Sequence, residues 1–232
     1  MASREETIES TFAAVDQHLR KASIAQIGGF RPPDAPLTSW FGGHFLSRVD
    51  EAWPENDHGP MLPLLQVRTD ELPYKPDQLN DIALFTVFID CKELPVDAAT
   101  NGDHWIIRSY KTLNGLTRLS PPEEPSLRPF PIKWSLAEDE GPQWDDAWGL
   151  HDLDVFNGLT DSIDLFYDRY HQHSLTKIGG WPSYIQNGMY DPDRFVFQIG
   201  SEEKPGWMWG DNGNGYFYLD ENGEWILLWD CY

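Results

Sequence analysis

One strand-and-turn pattern is written twice in this chain. "LLQVRTDELP" (Leu64–Pro73) and "VFQIGSEEKP" (Val196–Pro205) both run an apolar stretch with a central Gln into Thr or Ser, two acids and a closing Pro. Other blocks recur in the same order around them. "SWFGG" (Ser39–Gly43) answers "TKIGG" (Thr176–Gly180), Phe85 answers Phe217, and "HWIIRSY" (His104–Tyr110) answers "EWILLWD" (Glu224–Asp230). Repetition at this scale predicts an architecture assembled from two copies of one supersecondary unit.

The unit is a β unit. Leu64–Val67, Ile82–Ile89, Trp105–Tyr110, Phe195–Ile199, Gly215–Leu219 and Trp225–Trp229 are rich in β-branched and aromatic residues and are bounded by turn formers. Several are apolar throughout, as strands covered on both faces are. Gln66 and Gln198 fall inside two of these runs, so their amides are expected to bond the backbone of neighbouring loops. Thr69 and Ser201 are expected to cap short helical turns whose free N–H groups favour the acids that follow. The fold class is therefore mainly β (α+β), with internally duplicated β-roll or sheet repeats, an N-terminal helix and an acidic helical connection. As a single domain spanning 1–232, it divides into an N-terminal helix and lead-in (1–35), repeat A (36–115), an acidic connection with a helix (116–175) and repeat B (176–232).

At the N-terminus, Ser3 and Glu6 have capping-box spacing, and Ile8, Phe12, Val15 and Leu19 recur on one helical face that ends near Arg20 and Lys21. The connection is more unusual. Between Ser135 and Asp168 stand ten acids, namely Glu138, Asp139, Glu140, Asp145, Asp146, Asp152, Asp154, Asp161, Asp164 and Asp168, without a Lys or Arg among them. Trp144, Trp148, Leu153, Phe156, Ile163, Phe166 and Tyr167 are threaded through the run, which predicts a folded element rather than a disordered tail. Thr160 is expected to cap a helix whose Ile163, Phe166, Tyr167 and Tyr170 stripe packs on the sheets, with Arg169, His171 and His173 near its end.

With 17 Lys and Arg against 38 Asp and Glu, the chain carries a net charge of −21, a field that repels nucleic acid and anionic membranes and attracts cationic partners. The opening "MASREETIESTF" has no apolar signal region, and no apolar run reaches spanning length, so a cytoplasmic location is expected. Cys91 and Cys231 have neither metal-ligand spacing nor a disulfide framework, and read as reduced, buried small side chains.

"KIGGWPSYIQ", "FVFQIGSEEKPGWMWGDNGNGYFYLDENGEWILLWDCY" and "WPENDHGPMLPLLQVRTDELP" together resemble the YwqG-like family. The resemblance runs from about Pro36 to Tyr232, is densest in the last third and is weakest across the acidic connection. It implies a mainly-β, roll-like fold with flanking helices and no established catalytic mechanism; some relatives occur among bacterial toxin immunity proteins.

No catalytic signature is present. The chain lacks a Walker loop, a dinucleotide-binding glycine pattern, an HExxH and a nucleophile elbow. "DNGNGYFYLDENGE" departs from a calcium loop, because the sixth position from Asp211 is Tyr216 where the turn needs Gly. No cofactor or metal is expected. Two site readings follow. In the first, Glu138, Asp139, Glu140, Trp144, Asp145, Asp146, Trp148, Asp152 and Asp154 form a surface that holds a basic protein, such as a cognate nuclease toxin, in the manner of an immunity protein. In the second, the protein is an enzyme or small-ligand binder with Trp207, Trp209 and Asp211 at the mouth of a cleft between the repeats.

Overall fold

The computed structural model describes residues 3–31, 37–43, 45–90, 92–96, 99–123, 126–157, 159, 161–186 and 191–232. Thr160 and Cys91 lie outside the described residues. The strands are β1 (Arg20–Ile27), β2 (Trp40–Phe41), β3 (Leu46–Arg48), β4 (Glu55–Asn56), β5 (Gly59–Pro60), β6 (Leu62–Arg68), β7 (Leu84–Ile89), β8 (Ala99–Thr100), β9 (Trp105–Tyr110), β10 (Leu116–Arg118), β11 (Phe130–Glu140), β12 (Lys177–Gly179), β13 (Phe195–Gly200), β14 (Asn214–Leu219) and β15 (Trp225–Asp230). Among the described residues, three α-helices accompany them: α1 (Arg4–Val15), α2 (Trp144–Leu150) and α3 (Ser162–Arg169).

Eleven strands form one antiparallel sheet in the order β8-β15-β14-β13-β12-β1-β11-β2-β6-β7-β9. From the central β1–β11 pair outward, the order is the same on both sides: a short strand, the Gln-bearing strand, and two more long strands. The central register is balanced about Gln26 and Lys133, with Ala25 opposite Trp134 and Ile27 opposite Ile132. Two residues before Gln26, Ile24 pairs with Lys177; two before Lys133, Pro131 pairs with Trp40. The wings agree in register as well, Trp40 facing Gln66 and Lys177 facing Gln198. Trp105 and Trp225 fall at matching positions, opposite Ile89 and Leu219. Phe85 and Phe217 do not. With Gln66 set on Gln198, Val87 takes the place of Phe217, because Leu65 faces Val87 and Phe197 faces Phe217.

The sheet curls until its wings face each other. Phe85 and Phe197 lie 5.0 Å apart and Trp105 and Phe217 5.5 Å apart, although five strands separate β7 from β13 in the sheet. Aromatic pairs of this geometry add about 0.5–1.5 kcal/mol each beyond the burial of their area. Both wings thereby share one core, with Leu65, Val67, Val87, Ile178, Ile199, Trp225 and Leu227 buried in it. At the far edges β8, which pairs with β15, leads through Asn101 back to β9, and the Asn101 amide exchanges hydrogen bonds with Ile107. The sheet is nearly closed.

Gln66 and Gln198 behave as their burial requires. Gln66 Oε1 accepts from Leu46 N at 2.8 Å while its Nε2 donates to Thr38 O. Gln198 Oε1 accepts from Ser183 N at 2.9 Å and its Nε2 donates to Leu175 O. Each amide pins the loop that covers its wing. Thr69 and Ser201 are not caps, because their hydroxyls are committed across the strand pair, Thr69 to Ile82 O and Ser201 to Gly213 O. The acids beyond them reach back to the short strands: Glu71 accepts from Ser39 N and Glu202 from Thr176 Oγ1. Gly42-Gly43 and Gly179-Gly180 all have positive φ, and a Cβ at Gly180 would strike the Glu140 carboxylate.

Two strands occupy spans that the sequence reading assigned to other structure. β1 lies in the lead-in, so Arg20 and Lys21 start a strand rather than end a helix, and β11 lies inside the acidic connection. The capping box of α1 is present, Ser3 Oγ accepting from Glu6 N and Glu6 Oε2 accepting from Ser3 N. Phe12 and Val15 of α1 pack against Ala147, Leu153, Phe156, Phe166 and Tyr170 in a satellite cluster. The stripe of α3 therefore turns only Phe166 and Tyr170 inward, and onto α1 rather than the sheet; Ile163 and Tyr167 are 52% and 41% exposed.

Candidate functional site

The helical layer is strongly and one-sidedly acidic. Across residues 3–19 and 141–173, which supply its three helices, eleven acids stand against two arginines. Both arginines are engaged: Arg4 donates to Val155 O and Asn157 O, and Arg169 pairs with Asp16 at 2.7 Å. Asp145, Asp152, Asp154, Asp161, Asp164 and Asp168 remain exposed to solvent. Among them lie the apolar side chains of Ile163 and Tyr167, one turn apart on α3.

Several residues read as surface from the sequence are placed otherwise. Glu140 is buried and holds Lys177, whose Nζ donates to both carboxylate oxygens at 2.9 Å. Burial pushes Glu140 up, but the Lys177 ammonium, His173 and their hydrogen bonds outweigh it and hold the carboxyl below its ordinary range. Glu140 is thus a structural ion-pair partner and not part of a docking face. Glu138 is exposed at the end of β11 but paired with Lys21 at 2.7 Å, and Asp139 beside it is exposed. Trp144 and Trp148 are half-buried, Trp144 packing edge-on against Phe166 at 5.2 Å. Asp146 is half-buried too. Its removal from solvent, reinforced by Asp145, raises its pKa to about 6.

The cleft reading loses its aromatic mouth. Trp207 and Trp209 are buried in the main core, 5.1 Å apart, and the Trp209 ring lies over Gly215, where any Cβ would collide with it. Asp211 is exposed in the turn beyond them. A pair of indoles closed into the core cannot stack on a ligand from solvent.

A polar cluster that the sequence did not announce lies on the other wing. Asp90 follows β7, His58 stands in the β4–β5 turn, and His104 precedes β9. The Asp90 side chain has 0% exposure. Its Oδ2 accepts from Asn56 Nδ2 at 2.7 Å, from His58 Nδ1 at 2.8 Å and from His104 Nδ1 at 2.9 Å, while Oδ1 accepts from Lys92 N at 2.8 Å. An ionised carboxylate only accepts, so both imidazoles present Nδ1–H to it. Burial pushes Asp90 up, yet the Lys92 N–H, the two histidines and Asn56 more than reverse it, leaving the carboxyl well below its ordinary range. The Asp90 bond in turn raises His104. The one available signal was a difference between the repeated blocks, His104 standing where the second has Glu224.

Among the described residues, no helix is long and apolar enough to cross a membrane. No curated protein matches the chain. A family model, described as a domain of unknown function (DUF1963), matches residues 39–223, from the start of β2 through the hairpin that joins β14 to β15. Because that match covers most of the chain, the protein belongs to the DUF1963 family.

Proposed function

We propose that the protein is a non-enzymatic binding protein whose helical layer holds a basic protein partner, as an immunity protein would hold a cognate toxin. The observation that carries this reading is the layer itself: eleven acids against two internally engaged arginines, with Ile163 and Tyr167 exposed among them. Long-range attraction speeds encounter, and burial of the apolar pair slows release. A nuclease toxin supplies the complementary surface, because its substrate groove must be basic. The face is drawn by Asp145, Asp152 and Asp154 with Asp161, Asp164 and Asp168, without Glu140 and Asp146.

The experiment is a binding titration against the purified product of the adjacent gene. Affinity is expected to fall steeply with salt, and Asp145→Lys, Asp152→Lys and Asp154→Lys together are expected to weaken it at least tenfold. Binding that survives this triple reversal with its salt dependence intact would remove the helical layer from consideration.

We also infer that the two wings descend from one copied unit and that the chain is YwqG-like. Matching register on both sides of β1–β11 supports the first inference, and the quoted blocks support the second. A copied scaffold explains why specific features must be sought where the copies differ.

A further inference from the structure

We propose that His58, Asp90 and His104 form a site for a divalent transition-metal ion of the zinc class. This site is separate from the helical layer and does not depend on the docking proposal.

Three observations converge on it. Each residue offers one ligand atom, and these atoms all lie within 4.8 Å of one another. Two imidazoles and a carboxylate are a donor set that binds zinc and its neighbours while leaving positions open for water or a ligand. The set is held ready by its surroundings, since Asp90 is fixed by the backbone N–H groups of Lys92 and Glu93 and by Asn56. Above it opens a groove of about 380 Å³, lined by Asn56, Asp57, His58, Glu93, Asp103 and His104, with no Lys or Arg side chain in the lining.

The other wing shows that the fold does not need these histidines. At the position matching Asp90, Asp220 accepts from the backbone of Asn222 and Glu224 and so closes its own hairpin. Asp90 likewise accepts from nearby backbone, from Lys92 N and Glu93 N, and then gathers three side chains more. Backbone bonds at the strand end explain the carboxylate; they do not explain two imidazoles on one of its oxygens.

Binding has a simple proton balance. Each Nδ1 proton moves to Nε2, and the freed Nδ1 lone pair turns to the ion. Asp90 Oδ2 exchanges two N–H donors for one metal bond. The protonated Nε2 atoms then lie near carboxylates that a small side-chain rotation brings to hydrogen-bond distance, Glu93 at 3.9 Å from His58 and Asp103 at 3.8 Å from His104. Acids in that outer position orient a ligating imidazole and increase its basicity. Bonds of about 2.0–2.2 Å require the oxygen and nitrogens to separate slightly from hydrogen-bonding distance. Such a shift is open to half-exposed rings in a turn.

The test is titration of the full chain with Co²⁺, followed by absorption, with Zn²⁺ as competitor. One ion per chain is expected, with visible bands typical of nitrogen and oxygen ligation that Zn²⁺ abolishes. His58→Asn and His104→Asn should each weaken binding at least tenfold, while His171→Asn, on the acidic side, should leave it unchanged. Circular dichroism of the metal-free variants separates lost folding from a lost ligand. Should the wild-type chain bind no stoichiometric ion, the proposal fails. It also fails if a folded His58→Asn/His104→Asn double variant binds as wild type, because exposed acids alone would then hold the ion.

Discussion

The two wings of the sheet share strand order and register but differ in what each does with its polar positions. Both bury a Gln that pins a covering loop, and both place directly after the next strand, β7 or β14, an Asp whose carboxylate accepts from backbone N–H groups that follow it. On the wing of β12 to β15 the short strand carries Lys177, buried against Glu140 of the central strand; on the other wing the matching residue is Trp40, which packs with the Phe45, Trp53 and Phe88 cluster. The Asp position diverges in the opposite sense, Asp220 serving its turn alone while Asp90 collects two histidines. Shared positions carry the scaffold. Departures from them mark where the two wings differ in chemistry.

The largest expected effect tests the Lys177 difference. Lys177→Met leaves the Glu140 carboxylate buried without its cation and should cost about 3–5 kcal/mol, read as a shift in urea unfolding. Adding Glu140→Leu should restore most of that loss, and a cost near zero for the single variant would mean that the pair is not what secures this wing. Next comes the Asp pair. Asp90→Asn puts an amide donor where every neighbour donates, and about 2 kcal/mol of stability should go. Asp220→Asn on the exposed hairpin should change stability by no more than about 0.5 kcal/mol. Equal effects would erase the distinction between the wings.

A smaller effect than the loss of Asp90 is expected in the acidic layer beside the second wing, where Gln143 of the α2 entry donates to Tyr184 O. Asp146 has a folded-state pKa of about 6 against an ordinary value of 3.8, so the native state holds its proton more tightly than the unfolded chain does. Stability from this group is complete at low pH and is lost as pH rises from about 4 through 6. Asp146→Asn should flatten that slope in pH-dependent thermal unfolding and stabilise the protein at neutral pH by about 1 kcal/mol, after allowance for screening. An unchanged slope would assign it to other groups.

Outer strands were legible because runs such as Leu84–Ile89 are apolar on both faces. The central pair was not. In β11, "FPIKWSLAEDE", the buried Ile132 and Trp134 alternate with exposed Lys133 and Ser135, but the terminal acids placed the stretch in the acidic connection of residues 116–175. In β1, "RKASIAQI", small and polar residues fill positions that the flanking strands cover. The acidic layer was readable in composition but not in detail, since charge counts cannot show that Glu140 turns inward to Lys177. The histidine cluster gave almost no signal, because residues 58, 90 and 104 are far apart in the sequence and are brought together by the pairing of β7 with β9 and by the β4–β5 turn that packs beside it.

The pairing of β1 with β12 and of β2 with β11 has a consequence for how the chain comes together. Each central strand lies beside the short strand of the other half of the chain, β1 beside β12 and β11 beside β2. During synthesis, β1 leaves the ribosome early and waits for residues 130–140 and 177–179 before both its edges are covered. A cut between Tyr110 and Phe130 would therefore yield two fragments with exposed edges that complement each other, rather than two small proteins.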